Sequence, residues 1–345
     1  MRAVVLVAPG DVQVLTVPDP EIMDPGDAIV RVRQSAICGA DLFPFHGLTP
    51  GFENGTVLGH EFVGEVVATG TAVDRIQIGQ RVVATSTISD GVCDHCLRGR
   101  PSQCRGRSLF GYSGVYPRLD GGQAELVRVP IADRVLLVLD DAVSDEAAVF
   151  LADVLPTGYG ALKRAGTTLG DVVVIVGCGP VGLMAVMCAM RLAVNVIAVD
   201  TVPERRNLAE RLGARAVSPE GSSALVDELT NGLGADVVVE AAGTPGGLTQ
   251  ALGLVRGRGV VSVVGAHFEP DYPLDNGHMF EREISLVFTI GDPFNDRARM
   301  LDLMRNGVLD PTVVVSHRMP LEKAAAGYAL FDSRNATKVV LDCSL

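Results

Sequence analysis

The chain has 345 residues, 48% of them hydrophobic and 20% charged, and a net charge of −12 at pH 7. This length predicts about two domains, and the acidic balance argues against a nucleic-acid or anionic-membrane partner. Seven cysteines, an odd number, indicate reduced thiols and metal ligands rather than a disulfide framework, which predicts a cytoplasmic protein. No apolar run approaches the ~20 residues of a membrane span.

The first 150 or so residues are rich in predicted strands. The opening apolar run ends at Pro9 and Gly10, which favours a first strand over a signal peptide. Further β-branched runs at 28–33 and 62–67 predict strands between Gly- and Pro-rich turns.

From about residue 154 the pattern alternates between helix and strand. It predicts helices at 205–212, 224–230 and 248–255, and strands at 237–240, 260–264 and 284–290. This alternation predicts an α/β fold with a right-handed, doubly wound parallel sheet. A helix at 297–305 and a short strand-helix-strand run close the chain and are assigned to the first domain. The predicted domains are therefore 1–154 with 291–345, and 155–290.

Residues from three separate parts of the chain form a candidate metal site: Cys38, the adjacent pair His60 and Glu61, and Asp153. Thiolate, imidazole and carboxylate are all zinc ligands, and three of them leave one position for substrate. Zinc in such a site would polarise a substrate oxygen. Spacing alone supports this weakly, because a lone Cys is often a buried apolar residue and a lone His after Gly is often a turn residue.

A second candidate metal site is local. Cys93, Cys96 and Cys104 lie in a short, polar, glycine-bearing segment, so their thiols are not expected in a core. Their paired spacing is typical of structural zinc sites. Asp90 is the expected fourth ligand, and His95, between two of the cysteines, is the alternative.

The segment 171–200 predicts a strand, a glycine turn, a helix and a second strand. Val172 to Val176 form a continuous β-branched run, as in a parallel strand buried on both faces. The turn has the G-x-G-x-x-G spacing of a dinucleotide site, and the helix that begins there directs its N-terminal amides at phosphate. The turn and first helical residues are Gly177, Gly179, Pro180, Val181 and Gly182.

The predicted second strand, 194–199, ends at Asp200, where a carboxylate accepts hydrogen bonds from an adenosine ribose. This favours NAD over NADP. Arg205 and Arg206 leave NADP open, because arginines at this point can bind a 2′-phosphate. The alternative for both is a solvated position on the following helix.

Together these features resemble the medium-chain, zinc-dependent alcohol dehydrogenase family, along nearly the whole chain. The matching pieces are Cys38-Gly39-Ala40-Asp41-Leu42, Gly59-His60-Glu61-Phe62-Val63-Gly64, the cysteine lobe at 90–104, Gly121-Gly122-Gln123-Ala124-Glu125, residues 153–160 and the glycine turn. The resemblance implies a GroES-like β-barrel catalytic domain, interrupted by a Rossmann domain, with zinc and nicotinamide meeting in the cleft. It also implies a homodimer or homotetramer.

Residue roles follow from the resemblance. Cys38, His60 and Asp153 would hold the catalytic zinc, with Glu61 as an alternating or outer ligand. Thr157 is expected near the nicotinamide end of the cofactor. By the same resemblance, Gly243, Gly265 and Ala266 are expected to line the nicotinamide pocket. His267 lies close to that pocket in the sequence, where a loop role is the default.

The chain departs from the family at three positions. The family usually has Ser or Thr where this chain has Ala40, and often His where it has Phe43, so both groups that carry the alcohol proton outward are missing. His46 is the nearest titratable substitute, with a plain loop histidine as the alternative. The third departure is Asp90, where the family normally has a fourth cysteine.

The apolar residues near this position predict a bulky or apolar small-molecule substrate: Ala40, Phe43, Phe45 and Leu48. The alternative is that Phe43 and Phe45 pack the barrel, and Phe110 and Tyr112 carry the same ambiguity. The expected function is zinc-dependent, NAD(H)-linked interconversion of an alcohol with an aldehyde or ketone. The alternatives are a reductase of a conjugated C=C or a C=N bond and, more remotely, a non-catalytic cofactor-binding protein.

Overall fold

The structure, a computed structural model, describes residues 1–192, 195–267, 269 and 271–344. The chain forms two compact units, the first made of Met1–Asp153 with Asp292–Leu345 and the second of Val154–Gly291. The sequence predicts domain junctions after residues 154 and 290, and the structure has them after Asp153 and Gly291, one residue away in each case. In the part of the chain that is described, every helix is too short or too polar to cross a membrane.

The first 153 residues consist mainly of strands. These are β1 (Arg2–Ala8), β2 (Asp11–Thr16), β3 (Ala28–Ile37), β4 (Phe62–Thr69), β5 (Arg81–Ala84), β6 (Leu126–Val129) and β7 (Leu136–Val138). Four short helices separate them: α1 (Leu42–Phe45), α2 (Asp94–Leu97), α3 (Ala132–Val135) and α4 (Asp145–Ala148). The predicted strands at 28–33 and 62–67 lie within β3 and β4.

The second unit alternates helix and strand. Its helices are α5 (Val154–Arg164), α6 (Pro180–Ala189), α7 (Pro203–Arg211), α8 (Ser222–Thr230), α9 (Pro245–Leu254) and α10 (Asn276–Glu281). Its strands are β8 (Val172–Val176), β9 (Asn195–Val199), β10 (Arg215–Val217), β11 (Ala235–Glu240), β12 (Val255–Val263) and β13 (Ser285–Phe288). They pair in parallel in the order β10-β9-β8-β11-β12-β13, so the predicted doubly wound sheet is confirmed.

The second unit differs from the prediction in two places. Strand β10 was not predicted, because its three residues begin with an exposed arginine and carry too little pattern. Strand β12 begins at Val255, which the prediction placed in a helix; no Gly or Pro separates it from Leu254 at the end of α9. Val194, predicted to open the strand before Asp200, lies outside the described residues.

The C-terminal segment belongs to the first unit. It contains α11 (Pro293–Arg305), β14 (His317–Pro320), α12 (Ala324–Asp332) and β15 (Val339–Asp342). Strand β15 pairs antiparallel with β3, which gives the sheet order β14-β15-β3-β4-β5-β7, with β6 also paired to β3. β-branched and aromatic side chains of these strands fill the core, including Val30, Val32 and Phe62.

Candidate functional site

The pairing of β3 with β4 brings three of the candidate metal ligands together. Cys38 directly follows β3, and Glu61 directly precedes β4. Ser35 is paired with Phe62, and the amide of Ala36 donates to the carbonyl of Glu61 at 3.0 Å. Two sequence positions 23 residues apart are therefore neighbours because of strand register.

A turn before β4 sets the direction of His60. Gly59 has φ +98, and a Cβ at this position would lie 2.4 Å from Cγ of Gln123. A side chain would therefore be strained and would collide with its neighbour, so the turn requires glycine. His60 and Glu61 follow it as fully buried residues.

Cys38, His60, Glu61 and Asp153 form one cluster, with a ligand atom of each within 4.8 Å of the others. Oδ2 of Asp153 lies 3.8 Å from Sγ of Cys38 and 3.5 Å from Nε2 of His60. Asp153 is the most accessible member, with 23% of its side chain exposed. The structure thus brings together every residue predicted for the first metal site.

Asp41 orients the imidazole of His60. Its Oδ1 lies 3.1 Å from Nδ1, an ion-pair contact, and its Oδ2 accepts the amide hydrogen of Cys38 at 2.9 Å. Burial acts to lower the pKa of His60, but the carboxylate of Asp41 and the thiolate of Cys38 outweigh it and raise that pKa well above its ordinary value. With Nδ1 facing Asp41, Nε2 faces the other ligands, which is the arrangement that metal-binding histidines use.

Two further buried side chains extend this contact. Nε2 of Gln123 lies 3.4 Å from Oδ2 of Asp41 and donates to the carbonyl of Ala36, and the hydroxyl of Tyr328 donates to Oε1 of Gln123 at 2.8 Å. Gln123 and Tyr328 are both fully buried. A network of this kind fixes the ligand in one orientation.

The cluster has too little positive charge for its acidic groups. Burial raises the pKa of Cys38, and the nearby carboxylate of Glu61 adds to that shift. Burial also raises the pKa of Glu61, although the Lys338 ammonium opposes the shift. A divalent cation would supply the missing charge, and the Cys, His and carboxylate donors are those that zinc prefers, so the residues fit this metal.

Lys338 is a site residue that sequence reasoning missed. Its ammonium contacts Oε2 of Glu61, and both side chains are fully buried. Burial acts to lower the pKa of Lys338, but Glu61 raises it above its ordinary value. In the sequence, Lys338 is marked only by its position immediately before a strand whose first residues are buried. In the structure, the pairing of Val339 with Ile37 places Lys338 opposite Cys38.

The residues around Ala40 divide into core and surface. Phe110 packs on Phe62 at 5.1 Å between ring centroids and belongs to the core, whereas the partly buried Phe45 packs against the core on Tyr328 at 5.8 Å. Leu48 is 58% exposed. Burial raises the pKa of Tyr112, which stays protonated and donates to the carbonyl of Ala40.

His46 lies at the end of α1, and its Nε2 is 2.7 Å from Oδ1 of Asp332 in α12. About half of each side chain is covered, at 44% and 37% exposure. Its ion-pair partner is therefore a surface carboxylate rather than a member of the metal cluster. A proton-carrying role for His46 stays a prediction.

The residues of the second candidate metal site lie together in the lobe around α2. Ligand atoms of Asp90, Cys93, Cys96 and Cys104 lie within 4.8 Å of one another. Sγ of Cys93 is 3.5 Å from Sγ of Cys96 and 3.9 Å from that of Cys104. His95 does not belong to this set, and Asp90 completes it as expected from its spacing.

Asp90 also organises the turn that carries the cysteines. Its Oδ1 accepts the amide hydrogens of Val92 at 2.8 Å and Cys93 at 2.9 Å. These two hydrogen bonds hold the pKa of Asp90 well below its ordinary value, so it is a carboxylate at neutral pH. Burial raises the pKa of Cys96 to about 11, which a bound cation would reverse.

We expect Asp90→Asn to weaken zinc binding in this lobe at least about tenfold, because the amide keeps the turn but removes the anionic ligand. Zinc content after dialysis and alkylation of the three lobe cysteines measure the effect. Asp94→Asn is the matched control, since Asp94 pairs with Arg105 at 3.0 Å outside the ligand set. Equal thiol protection in both variants would contradict a ligand role for Asp90.

The glycine turn of the second unit has the three features that a dinucleotide site needs. Gly177 has φ +94, and a Cβ there would lie 2.6 Å from the amide of Ala242. A Cβ at Gly182 would lie 1.8 Å from the carbonyl oxygen of Gly177, so helix and strand meet closely. Around Gly179 no atom lies within 4 Å of the Cβ position, which leaves the backbone open to a ligand.

Helix α6 begins at this open position. Its N-cap is Gly179, which offers no side chain to the first turn, and Pro180 and Val181 follow. The ten-residue helix therefore leaves its first amides available to phosphate oxygens. The helix ends at Ala189 and is followed by a 3₁₀ turn over Met190–Leu192.

Asp200 directly follows β9 and is 7% exposed. Its Oδ2 accepts the amide hydrogen of Cys178 and its Oδ1 that of Val202, both at 2.7 Å, so the carboxylate is fixed beside the glycine turn. Arg206 donates to the carbonyls of Asp200 and Thr201 and so supports the end of the strand. Nε of Arg205 is buried and has no hydrogen-bond partner among the described residues.

Gly243, Gly265 and Ala266 lie together beyond the carboxyl ends of β11 and β12. A Cβ on Gly265 would lie 2.3 Å from the amide of Gly243, and one on Gly243 would lie 2.9 Å from the carbonyl of Ala266. Thr157, on α5, lies against Gly291, where a Cβ would be 2.0 Å from Oγ1 of Thr157.

Comparisons with known proteins agree with these features. Residues 24–140 match the alcohol dehydrogenase GroES-like domain, and residues 180–306 match the zinc-binding dehydrogenase family. The chain is 37% identical to zinc-type alcohol dehydrogenase B of Aspergillus flavus, over 99% of this chain and 81% of the relative.

Solved structures agree as well. Alcohol dehydrogenase TADH from Thermus sp. ATN1 is 38% identical with a TM-score of 0.94, over 99% of both chains. A zinc-binding dehydrogenase from Sinorhizobium meliloti bound to NADP is 28% identical with a TM-score of 0.87, over 99% of this chain and 98% of that one. The predicted GroES-like and Rossmann folds are confirmed. The chain thus belongs to the zinc-type alcohol dehydrogenases of the medium-chain dehydrogenase/reductase family and is an oxidoreductase.

Proposed function

We propose that the protein interconverts an alcohol with an aldehyde or ketone by hydride exchange with NAD(H), and that the reaction depends on zinc. The observation that carries the proposal is the buried donor set of the first unit, in which Cys38, His60, Glu61 and Asp153 converge within 4.8 Å. When bound, zinc polarises the substrate oxygen, and the nicotinamide exchanges a hydride with the carbon attached to it.

The protein supplies orientation and exclusion of water. Cys38, His60 and Asp153 are the proposed metal ligands, and Asp41 holds His60 in the orientation that presents Nε2. Glu61 is the proposed alternating ligand, paired with Lys338 when it is not on the metal. Burial of Cys38, His60 and Glu61 strengthens every charge interaction in the site.

NAD is the proposed nucleotide, because the Asp200 carboxylate would repel a 2′-phosphate and accepts hydroxyl hydrogens. NADP stays open through Arg205, whose Nε has no partner among the described residues. The substrate is proposed to be a bulky or apolar small molecule. A homodimer or homotetramer in the cytoplasm completes the proposal, and the described cysteines, all free thiols, agree with a reducing compartment.

The decisive experiment follows nicotinamide absorbance with purified, zinc-replete protein. One arm supplies alcohols with NAD or NADP, and the other supplies carbonyl, conjugated enal and imine compounds with the reduced nucleotides. Turnover of alcohols supports the proposal. Reduction of enals or imines without alcohol turnover would establish the alternative reductase, in which the groups missing at Ala40 and Phe43 matter less. No turnover by a protein that also retains no zinc after incubation with the metal would leave a cofactor-binding protein.

We expect Ala40→Ser with Phe43→His to increase alcohol oxidation at neutral pH, because the pair restores a hydroxyl and an imidazole for the alcohol proton. A positioned acid–base group typically contributes about 10²- to 10⁴-fold, which sets the upper limit of the gain. The rate with NAD across a pH series is the measurement.

The control for this pair is Ala40→Gly with Phe43→Leu, which changes both side-chain sizes without adding a titratable group. A rate no higher than that of the control would contradict the account of the missing proton carriers. Leu48→Ser, at an exposed position nearby, tests whether a hydroxyl near the surface is sufficient by itself.

A further inference from the structure

A buried carboxylate lies at the point where two loops of the Rossmann sheet meet. Glu240 is the last residue of β11 and is fully buried. Its Oε1 accepts the amide hydrogens of Ala242 at 3.0 Å and Gly243 at 2.8 Å. Its main-chain carbonyl accepts those of Val264 and Gly265 at 2.8 and 2.9 Å. One residue therefore bonds both the loop after β11 and the loop after β12.

His267 is the side-chain partner of this carboxylate. Its Nε2 lies 3.1 Å from Oε2 of Glu240, and 12% of its side chain is exposed. Its Nδ1 lies 3.2 Å from Oε2 of Glu269, so each ring nitrogen faces a carboxylate. Among the described residues, the ion pairs of Glu240 involve no other basic side chain. A buried carboxyl group needs hydrogen-bond partners of this kind, because a polar group left unsatisfied away from water is costly.

The packing around Glu240 leaves the two loops little freedom. A Cβ on Gly265 would lie 2.7 Å from Oε2 of Glu240, and one on Gly247 would lie 2.8 Å from Oε1. The carboxylate thus lies directly against Gly243 and Gly265. Its contact with His267 is on the side of the β12 loop. The family resemblance places the nicotinamide end of the cofactor at these loops.

We infer that Glu240 and His267 form a positioning pair that fixes the nicotinamide-binding loops, so that His267 contributes to binding of the nicotinamide ring but not of the adenosine half. The inference rests on the proposed function. Loss of the contact frees the β12 loop and leaves the glycine turn, α6 and Asp200 intact, because the hydrogen bonds and ion pairs of His267 to described residues involve Glu240 and Glu269 and none of these elements.

The test compares two ligands by titration calorimetry: NADH, and ADP-ribose, which lacks the nicotinamide ring. His267→Leu keeps the volume but cannot donate to Glu240, whereas His267→Gln keeps one donor. We expect His267→Leu to weaken NADH about tenfold and ADP-ribose less than about twofold, since an unpaired buried charge is costly to binding. His267→Gln should recover most of the NADH affinity.

The matched control is His278→Leu, on α10 of the same unit, where the imidazole contacts Arg282 at 3.3 Å. It should change neither affinity. Equal weakening of NADH and ADP-ribose by His267→Leu, no weakening of NADH, or a His267→Gln variant as weak as His267→Leu would each overturn the inference. Wild-type protein that binds neither compound would overturn the proposed function and the inference with it.

Discussion

His60→Ala is expected to lower turnover of the best substrate by about a thousandfold. A metal ion acting as a Lewis acid contributes several kcal/mol to the transition state, and each 1.36 kcal/mol is a factor of ten. The side chain of His60 is held by a chain of contacts: Asp41 contacts His60, Gln123 contacts Asp41, and Tyr328 donates to Gln123. The variant therefore removes a ligand and leaves the carboxylate of Asp41 buried without its partner.

Turnover and zinc content of the same preparation must be measured together. His60→Ala should lose one zinc per chain relative to wild type, while the lobe around α2 keeps its own metal. The control is His317→Ala, because His317 lies in β14, contacts Ser316 at 3.0 Å and belongs to neither ligand cluster. A variant at His60 that retains all its zinc and more than a tenth of its activity would refute the proposed ligand set.

The sequence is most informative where the signal is local. The run Val172 to Val176, the glycine spacing and Asp200 lie within one strand-helix-strand unit, and the structure forms that unit with its turn open at Gly179. The lobe residues Cys93, Cys96 and Cys104 are similarly close in sequence, so their spacing already indicates a shared site. Local geometry leaves such residues few alternatives.

The candidate metal cluster of the first unit is different, because strand register brings three of its four members together. Cys38 and Glu61 are neighbours through the pairing of β3 with β4, which no short pattern encodes. Their roles could be expected only from the family resemblance. A role for Asp41 could have been predicted from the sequence, because it is a carboxylate three positions after the proposed ligand Cys38.

Lys338 could not have been found in this way. Its position opposite Cys38 depends on the antiparallel pairing of β15 with β3, between segments some 300 residues apart. The same pairing explains why a lysine is buried beside an apolar strand, since it meets the carboxylate of Glu61.

Lys338→Met is expected to lower the free energy of unfolding by about 3–5 kcal/mol, the usual cost of removing one partner from a buried ion pair. Lys338 and Glu61 are both fully buried, and Oε1 of Glu61 has no hydrogen-bond partner among the described residues. The variant leaves a carboxylate whose pKa burial already raises, now without the ammonium that opposed the shift. Urea unfolding followed by circular dichroism gives the change, since the chain has no Trp.

The double variant Lys338→Met with Glu61→Gln separates charge from packing. If the loss arises from an unpaired buried charge, the double variant should be much more stable than the sum of the two single changes predicts. Arg215→Met supplies the exposed comparison, because Arg215 and Glu228 pair at 3.1 Å with more than half of each side chain in solvent. That variant should cost less than about 1 kcal/mol. Additive losses at Lys338 and Glu61 would show that volume, rather than their mutual charge, determines the stability of this part of the site.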